Sequence, residues 1–318
     1  MRNAFAETVT QLAEDDTRLV LLTGDIGNHL FDTFQDRYPN RFVNCGVAEA
    51  NMIGVAGGLA LAGMKPLTYT IASFSTTRCL EQIRVDLCYH RASVVIVGVG
   101  AGLAYAANGA THHACEDIAL LKALPEMTVV CPGDPWEVQE LVRAAVAHDG
   151  PVYIRLGKKG EPVVHTDQPK MTIGKSLIVK PGRDVCLIST GNVLPVAMEA
   201  AALLQRRNVS TQVVSMHTVK PLEQEFLRET FSKFPTVVTV EEHSCKGGLG
   251  GSIAEWQVER QLLGTQLICI GTDDVFLHEA GGHEFARDYF GLTPHKIMNV
   301  VLSRTCKKQN AKQLELVR

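Results

Sequence analysis

Ser93-Val-Val-Ile-Val-Gly-Val99 is an uncharged run dominated by β-branched side chains, and glycines follow it at positions 100 and 102. A strand of that composition has no polar face to offer water. It belongs inside a sheet covered on both sides, which is the signature of parallel α/β architecture. Working outward, helical spacings flank it near 77–89 and 114–124, and the alternation continues in both directions. Further strand-like runs lie at Arg41–Cys45, Pro66–Ile71, Met127–Cys131 and Val152–Leu156, with helical patterns near 49–62 and 135–148. Upstream, Ala4, Phe5, Val9 and Leu12 give residues 3–14 an amphipathic helical spacing ahead of the apolar run Leu19-Val-Leu-Leu22. Between Gly157 and Gly182 the alternation gives way to proline, glycine and charge, apart from a short apolar piece at Ser176–Val179. It resumes with strands near 185–189, 211–215, 236–241 and 266–270, and helices near 193–206, 222–233 and 250–263. The expected fold is therefore α/β with two doubly wound domains, each a mainly parallel sheet with helices on both faces. The boundaries expected are 1–160 and 183–318 with a linker at 161–182, and fraying from Lys307 onward.

Composition narrows the function. The chain has 318 residues, 46% apolar and 20% charged, with a net charge of −3. That is the make-up of a globular protein with a real core, and it disfavours a polybasic nucleic-acid or membrane-surface binder. Nine cysteines at irregular spacings form no CxxC pair, so neither a disulfide framework nor a zinc ribbon is indicated, and a reducing cytoplasm is the expected setting. The N-terminus carries acids too early for a signal peptide, and the uncharged stretch Ser93–His112 is too broken by glycine for a membrane span.

Several motifs fail on spacing. Gly174-Lys-Ser176 ends like a phosphate-binding loop but has Pro169 where the first glycine should be. Gly98-Val-Gly-Ala-Gly102 lacks the third glycine of a dinucleotide fingerprint. His278-Glu-Ala-Gly-Gly-His283 has its histidines five apart across a Gly-Gly pair, whereas a helical zinc site needs them four apart, so it reads as a loop. His112-His113 with Cys115 reads more simply as polar loop residues than as metal ligands, and no metal ligand is expected in this chain.

Three stretches carry chemistry. Gly46-Val-Ala-Glu49-Ala-Asn-Met-Ile-Gly-Val-Ala-Gly-Gly holds one charge, Glu49, among small and apolar residues, and burial there disfavours the ionised form. Glycines 54, 57 and 58 weaken the helix unless something packs closely on its backbone. Glu49 reads either as a functional carboxylate or as an acid that merely favours the helix dipole. Pro66-Leu-Thr-Tyr-Thr-Ile-Ala-Ser-Phe74-Ser-Thr-Thr-Arg78-Cys-Leu-Glu-Gln82 is a strand, loop and helix, as is the stretch from Gly102 through Asn108-Gly-Ala-Thr-His112. Such strand ends are where open α/β sheets bind ligands.

Together these stretches resemble the carboxyl-terminal half of the transketolase family of thiamine-diphosphate enzymes, over essentially the whole chain. The second domain adds Val240-Glu-Glu-His-Ser-Cys-Lys-Gly-Gly-Leu-Gly-Gly251 to the likeness. The resemblance implies a transferase moving a two-carbon ketol unit from a ketose to an aldose. Glu49 falls on the family's glutamate that hydrogen-bonds the cofactor's aminopyrimidine ring, Phe74 on its stacking aromatic, and His112 on the histidine of the Gly-x-Thr-His loop. It implies Glu49 and His112 as catalytic residues, Glu49, Phe74, Asp25 and Arg78 at the cofactor, and Asn108, His112, Lys158 and His29 at the substrate. Lys158-Lys159 reads equally as a solvated linker start, and Arg155 joins them as an anion-binding candidate.

The family's diphosphate and metal motif, Gly-Asp-Gly with a later asparagine, is missing here, and Gly24-Asp25-Ile-Gly27 is the nearest approach. With Met1 heading a plausible first helix, the expectation is a split enzyme. In it an N-terminal subunit holds the diphosphate and Mg²⁺ or a similar ion, in an α2β2 assembly. Two positions depart from the usual pattern: Asn108 stands for an acid, and Gly100 for a histidine whose loss should enlarge the pocket. They point toward a branched or modified ketose such as apulose 4-phosphate or a sulfonated ketose. Rival readings are the β subunit of a 2-oxo acid dehydrogenase, a deoxyxylulose-phosphate synthase-like enzyme, and a regulatory subunit with a dead site. The Gly-Ala-Thr-His loop and the Arg78-x-x-Glu-Gln spacing favour transketolase over the first.

Overall fold

A computed structural model describes the backbone of residues 1–315 and the side chains of residues 1–304. Strands β1 (Leu19–Thr23), β2 (Phe42–Asn44), β3 (Lys65–Ile71), β4 (Val95–Val99), β5 (Thr128–Val130) and β6 (Val152–Leu156) pair in parallel in the first sheet. The second sheet holds β7 (Leu177–Lys180), β8 (Val185–Thr190), β9 (Thr211–Ser215), β11 (Thr236–Ser244) and β12 (Gln266–Thr272). Strand β10 (Thr218–Lys220) leaves the second half of the chain to pair antiparallel with β5 at the edge of the first sheet, in the order β10-β5-β6-β4-β3-β1-β2.

β4 is buried along its whole length, as its composition requires. Val95, Val97 and Val99 face a core built with Phe5 and Val9 from the helix Arg2–Asp15 and Leu141 and Val142 from the helix Pro135–Ala147. Val94 and Ile96 face the opposite layer, with Ile53, Ile83, Leu87, Ile118 and Leu121. Helices thus seal both faces, which is why the strand can be apolar on both.

Several segments differ from expectation. The expected linker 161–182 contains β7, which pairs antiparallel with β9; the apolar piece at 176–179 is an edge strand between lysines. The segment 77–89 is not one helix but a 3-10 turn (Thr77–Cys79), an α-turn (Leu80–Gln82) and a π-helix (Ile83–Tyr89). Its Asp86 and Leu87 press on the helix Glu49–Leu61, where a Cβ on Gly57 would lie 3.3 Å from Asp86. Close packing accounts for Gly57 and, more loosely, for Gly54, but Gly58 faces open space. The final helix, Pro294–Glu315, runs through the stretch expected to fray, and residues 316–318 lie outside the described residues.

The order of the first sheet positions the site. From β1 the chain steps one way to β2 and the other way to β3. The connections leaving the carboxyl ends of β1 and β3 therefore diverge and open a crevice at this switch point.

Candidate active site

Four of the expected residues meet at that crevice. Glu49 opens the helix that follows β2, where its carboxylate favours the helix dipole, and its side chain is only 1% exposed. Its surroundings are not purely apolar, because Arg78 Nη1 donates to Glu49 Oε2 at 2.7 Å. Gly24, just past β1, must be small: a Cβ there would sit 2.8 Å from Thr70 Oγ1 and 3.5 Å from Glu49 Cγ. Phe74 lies on the short helix Ala72–Ser75 at the end of β3, and the Arg78 guanidinium rests 4.3 Å from its ring centre. His112, on the loop after β4, meets Phe74 edge-on at 5.1 Å between ring centres. The loop is tied to the Phe74 helix where Ser73 Oγ donates to the Thr111 carbonyl. Burial, with His113 alongside, lowers the His112 pKa, so its imidazole is biased toward the neutral form.

Tyr105 extends the cluster and was not anticipated. Its ring lies 6.3 Å from that of His112, and Lys158 Nζ sits 4.9 Å above it. Tyr105 also overturns the expectation that Gly100 enlarges the pocket. Gly100 has φ +83°, and a Cβ there would fall 2.0 Å from the Tyr105 ring, so the space is filled by an aromatic side chain. The glycine pair at 100 and 102 was the available signal, since it lets a bulky neighbour fold back on the strand end.

The remaining candidates sit apart or have other duties. Asn108 is exposed at the end of a 3-10 turn at the loop tip. Asp25 accepts from Asn44 Nδ2 at 3.0 Å, and the exposed His29 pairs with Asp32 at 2.9 Å; both line a cavity of about 290 Å³ beside the end of β1. Arg155 does not serve as an anion site. It is fully buried, bonds Asp117 Oδ2 through Nε at 2.8 Å, and donates to the carbonyls of Ala114 and Glu242. Its charge is already spent inside the protein. His283 belongs to no metal cluster either: it contacts Glu242, and no group of metal-ligating side chains occurs among the described residues.

The Val240-Glu-Glu-His stretch places three titratable groups at the end of β11, all buried. Glu241 accepts from the Leu249 and Gly250 N–H groups at the start of a helix, yet burial still pushes it up to about 7. Burial would also raise Glu242, but Arg287 and His283 outweigh it and hold the carboxyl at about 2. Burial lowers His243 to about 4.

A carboxylate and an aromatic face thus lie together at the sheet switch point. Comparisons with known proteins identify the family. Residues 1–161 match the transketolase pyrimidine-binding domain and residues 174–297 the transketolase C-terminal domain. The chain belongs to the transketolase family. It is similar to one of the subunits of an apulose-4-phosphate transketolase from Phocaeicola vulgatus, with 34% identity covering 95% of this chain and 96% of that one. A 6-deoxy-6-sulfo-D-fructose transketolase subunit of Clostridium sp. is 33% identical over 97% of this chain and 95% of its own. A solved structure described as a split gene transketolase, inactive beta4 tetramer, superposes with a TM-score of 0.87 at 34% identity, covering 95% of this chain and 97% of that chain. The transketolase chain described here is thus the pyrimidine-binding and C-terminal half of the enzyme, the part that split transketolases make as a separate polypeptide. Among its described residues no helix is long and apolar enough to cross a membrane.

Proposed function

We propose that this transketolase chain binds the pyrimidine half of thiamine diphosphate between Glu49 and Phe74 and acts with a companion subunit that holds the diphosphate and Mg²⁺. The Glu49–Arg78–Phe74 arrangement carries the proposal. Arg78 engages one carboxylate oxygen and one face of Phe74. Glu49 Oε1 has no hydrogen-bond partner among the described residues, so one carboxyl oxygen remains to share a proton with a ring nitrogen of an aminopyrimidine stacked on Phe74. A guanidinium is itself a planar N–H donor, and its fit here supports the fit of that ring. Bound thiamine diphosphate supplies the electron sink for breaking and forming the ketose carbon–carbon bond. Glu49 would then share a proton with the ring, Phe74 would support its face, Arg78 would hold the carboxyl in place, and His112 would exchange a proton with a substrate hydroxyl.

The companion is supported by the lack of Gly-Asp-Gly in these residues and by the likeness to the split gene transketolase solved as an inactive beta4 tetramer. An α2β2 enzyme in the cytoplasm fits these features and the free thiols of the described cysteines. For substrate, a branched or sulfonated ketose is supported by the two relatives named for such sugars. Asn108 at the loop tip supports it too, because an uncharged amide replaces an acid at a hydroxyl contact. Lys158 beside Tyr105 and His29 on the β1 loop are the candidate contacts for the substrate's anionic end, and Asp25 for the cofactor.

The test is to purify the chain alone and with a companion chain carrying Gly-Asp-Gly. Each preparation is assayed with thiamine diphosphate and Mg²⁺ for ketol transfer from xylulose 5-phosphate, apulose 4-phosphate and 6-deoxy-6-sulfofructose. Activity only in the mixture, with a modified ketose preferred, is expected. Full activity of the chain alone overturns the split reading, and preference for xylulose 5-phosphate overturns the substrate reading.

A further inference from the structure

The loop that carries Asn108 and His112 is closed at its base and gripped by the second domain. Gly102 and Ala114 form a two-way bridge, with Gly102 N–H to the Ala114 carbonyl at 3.2 Å and Ala114 N–H to the Gly102 carbonyl at 2.9 Å. The residues between them form the 3-10 turns Ala106–Asn108 and Ala110–His112. Immediately past the bridge, the Leu103 N–H donates at 2.8 Å to Oε1 of Glu242, which comes from the far end of β11. Glu242 is fully buried and receives four further contacts: His283 Nε2 at 2.9 Å from each oxygen, Arg287 Nε at 2.6 Å from Oε2 and, more loosely, Asn192 Nδ2 at 3.5 Å from Oε1. The fit is tight, for a Cβ on Gly102 would lie 2.3 Å from the Glu242 carbonyl oxygen. Arg155 closes the ring by donating to the carbonyls of both Ala114 and Glu242.

A buried carboxylate costs several kcal/mol unless its lone pairs are filled. Arg287 supplies the opposite charge and His283 a further polar contact, both from the helix His283–Tyr289 of the second domain. The bond to Leu103 is not required to neutralise Glu242; it attaches the loop to a charge-balanced post. We propose that Glu242, held by His283 and Arg287, is a positioning residue for the reaction, fixing the loop so that its tip presents Asn108 and His112 to the substrate. This rests on the reading of that loop as substrate-binding. It also assigns a task to the second domain, which contributes no residue to the Glu49–Phe74 seat. Cofactor binding and substrate binding should therefore separate when the post is loosened.

Arg287→Met and Arg287→Lys are compared with wild type. His283→Ala, which removes the His283 contacts and keeps the Arg287 cation, carries the same test should the methionine variant not fold. On the chain alone, hydrogen exchange is followed in peptides spanning 103–113 and, as reference, in β8. In the enzyme reconstituted with its companion, KM for the preferred ketose and the dissociation constant of thiamine diphosphate are measured. The expected result is at least tenfold faster exchange in the loop with β8 unchanged, and KM raised at least fivefold with cofactor affinity intact, both recovered in part by lysine. Loop exchange unchanged, or a KM that stays put while the loop loosens, or KM and cofactor affinity worsening together, would each overturn the proposal. Wild-type enzyme without ketol transfer would fail the functional reading itself, and the proposal with it.

Discussion

Glu49→Gln separates the structural from the chemical work of one side chain. The amide is nearly isosteric and still accepts from Arg78 Nη1, so the contact now at 2.7 Å persists as a hydrogen bond to a neutral group. A hydrogen bond to a charged partner contributes about 1.5–3 kcal/mol and one between neutral groups about 0.5–1.5. Arg78 is 45% exposed, so water screens the ionic part and the lower end of that range applies. The expected loss of stability is about 1 kcal/mol, which for a chain of this size moves the melting temperature by roughly 2 °C. The chemical loss is far larger. A positioned acid–base group contributes about 10²–10⁴-fold to the step that needs it. At 1.36 kcal/mol per decade this is about 3–5 kcal/mol of barrier. The assay is hydrogen–deuterium exchange at the thiazolium carbon of cofactor bound to the reconstituted enzyme, read beside a thermal melt of the same preparation. Exchange slowed by at least a hundredfold with a nearly unchanged melt is expected. An exchange rate within a few-fold of wild type would remove Glu49 from the chemistry, whatever the melt shows.

Other perturbations probe the frame around the site. Arg155→Leu strands the buried Asp117, whose Oδ2 keeps only the Tyr153 hydroxyl at 2.7 Å; chemical denaturation should show a loss of about 3–5 kcal/mol, and a loss under 1 would show the pair to be idle. Gly100→Ala meets the Tyr105 ring and a backbone at φ +83°, so a loss of about 2–3 kcal/mol is expected in the same assay, and neutrality would mean that Tyr105 moves freely. Asn108→Asp should shift relative kcat/KM toward xylulose 5-phosphate, and no shift would detach that residue from specificity. Glu241, pushed from 4.5 up to about 7, binds a proton in the native chain that the unfolded chain has lost, so its contribution is full below pH 4.5 and disappears as pH rises through 7. Glu241→Gln should therefore gain in melting temperature relative to wild type between pH 5 and 7.5, and a constant difference would contradict the shift.

What the sequence made legible follows from how far each interaction reaches along the chain. β4 was readable because a strand sealed on both faces is apolar along its length, whereas β6, equally buried from Val152 to Leu156, carries Arg155 and needs Asp117 beside that charge. The Glu49 helix was readable because a lone carboxylate among glycines violates ordinary helix composition. β10 could not be read: three residues carry no period, and Thr218–Lys220 becomes a strand only because the edge of β5, remote in sequence, is open to it. The π-helical turn at Ile83–Tyr89 was hidden for a similar reason, since its apolar spacing fits an α-helix and its close approach to Gly57 is a tertiary contact. The site divides along the same line. Glu49 stood out as a lone carboxylate and Phe74 and His112 entered through the family resemblance, whereas Tyr105 and Glu242 owe their contacts to partners that no local pattern names. Glu242 bonds a backbone amide 139 residues away in the chain, and no local pattern encodes such a partner. The same distance makes the contact informative: a carboxylate that reaches across two domains to hold one loop amide ties the second domain's packing to the geometry of the first domain's site. A change in the helix His283–Tyr289, which contributes nothing to the Glu49–Phe74 seat, should then be felt at Asn108 and His112 before it is felt at Glu49.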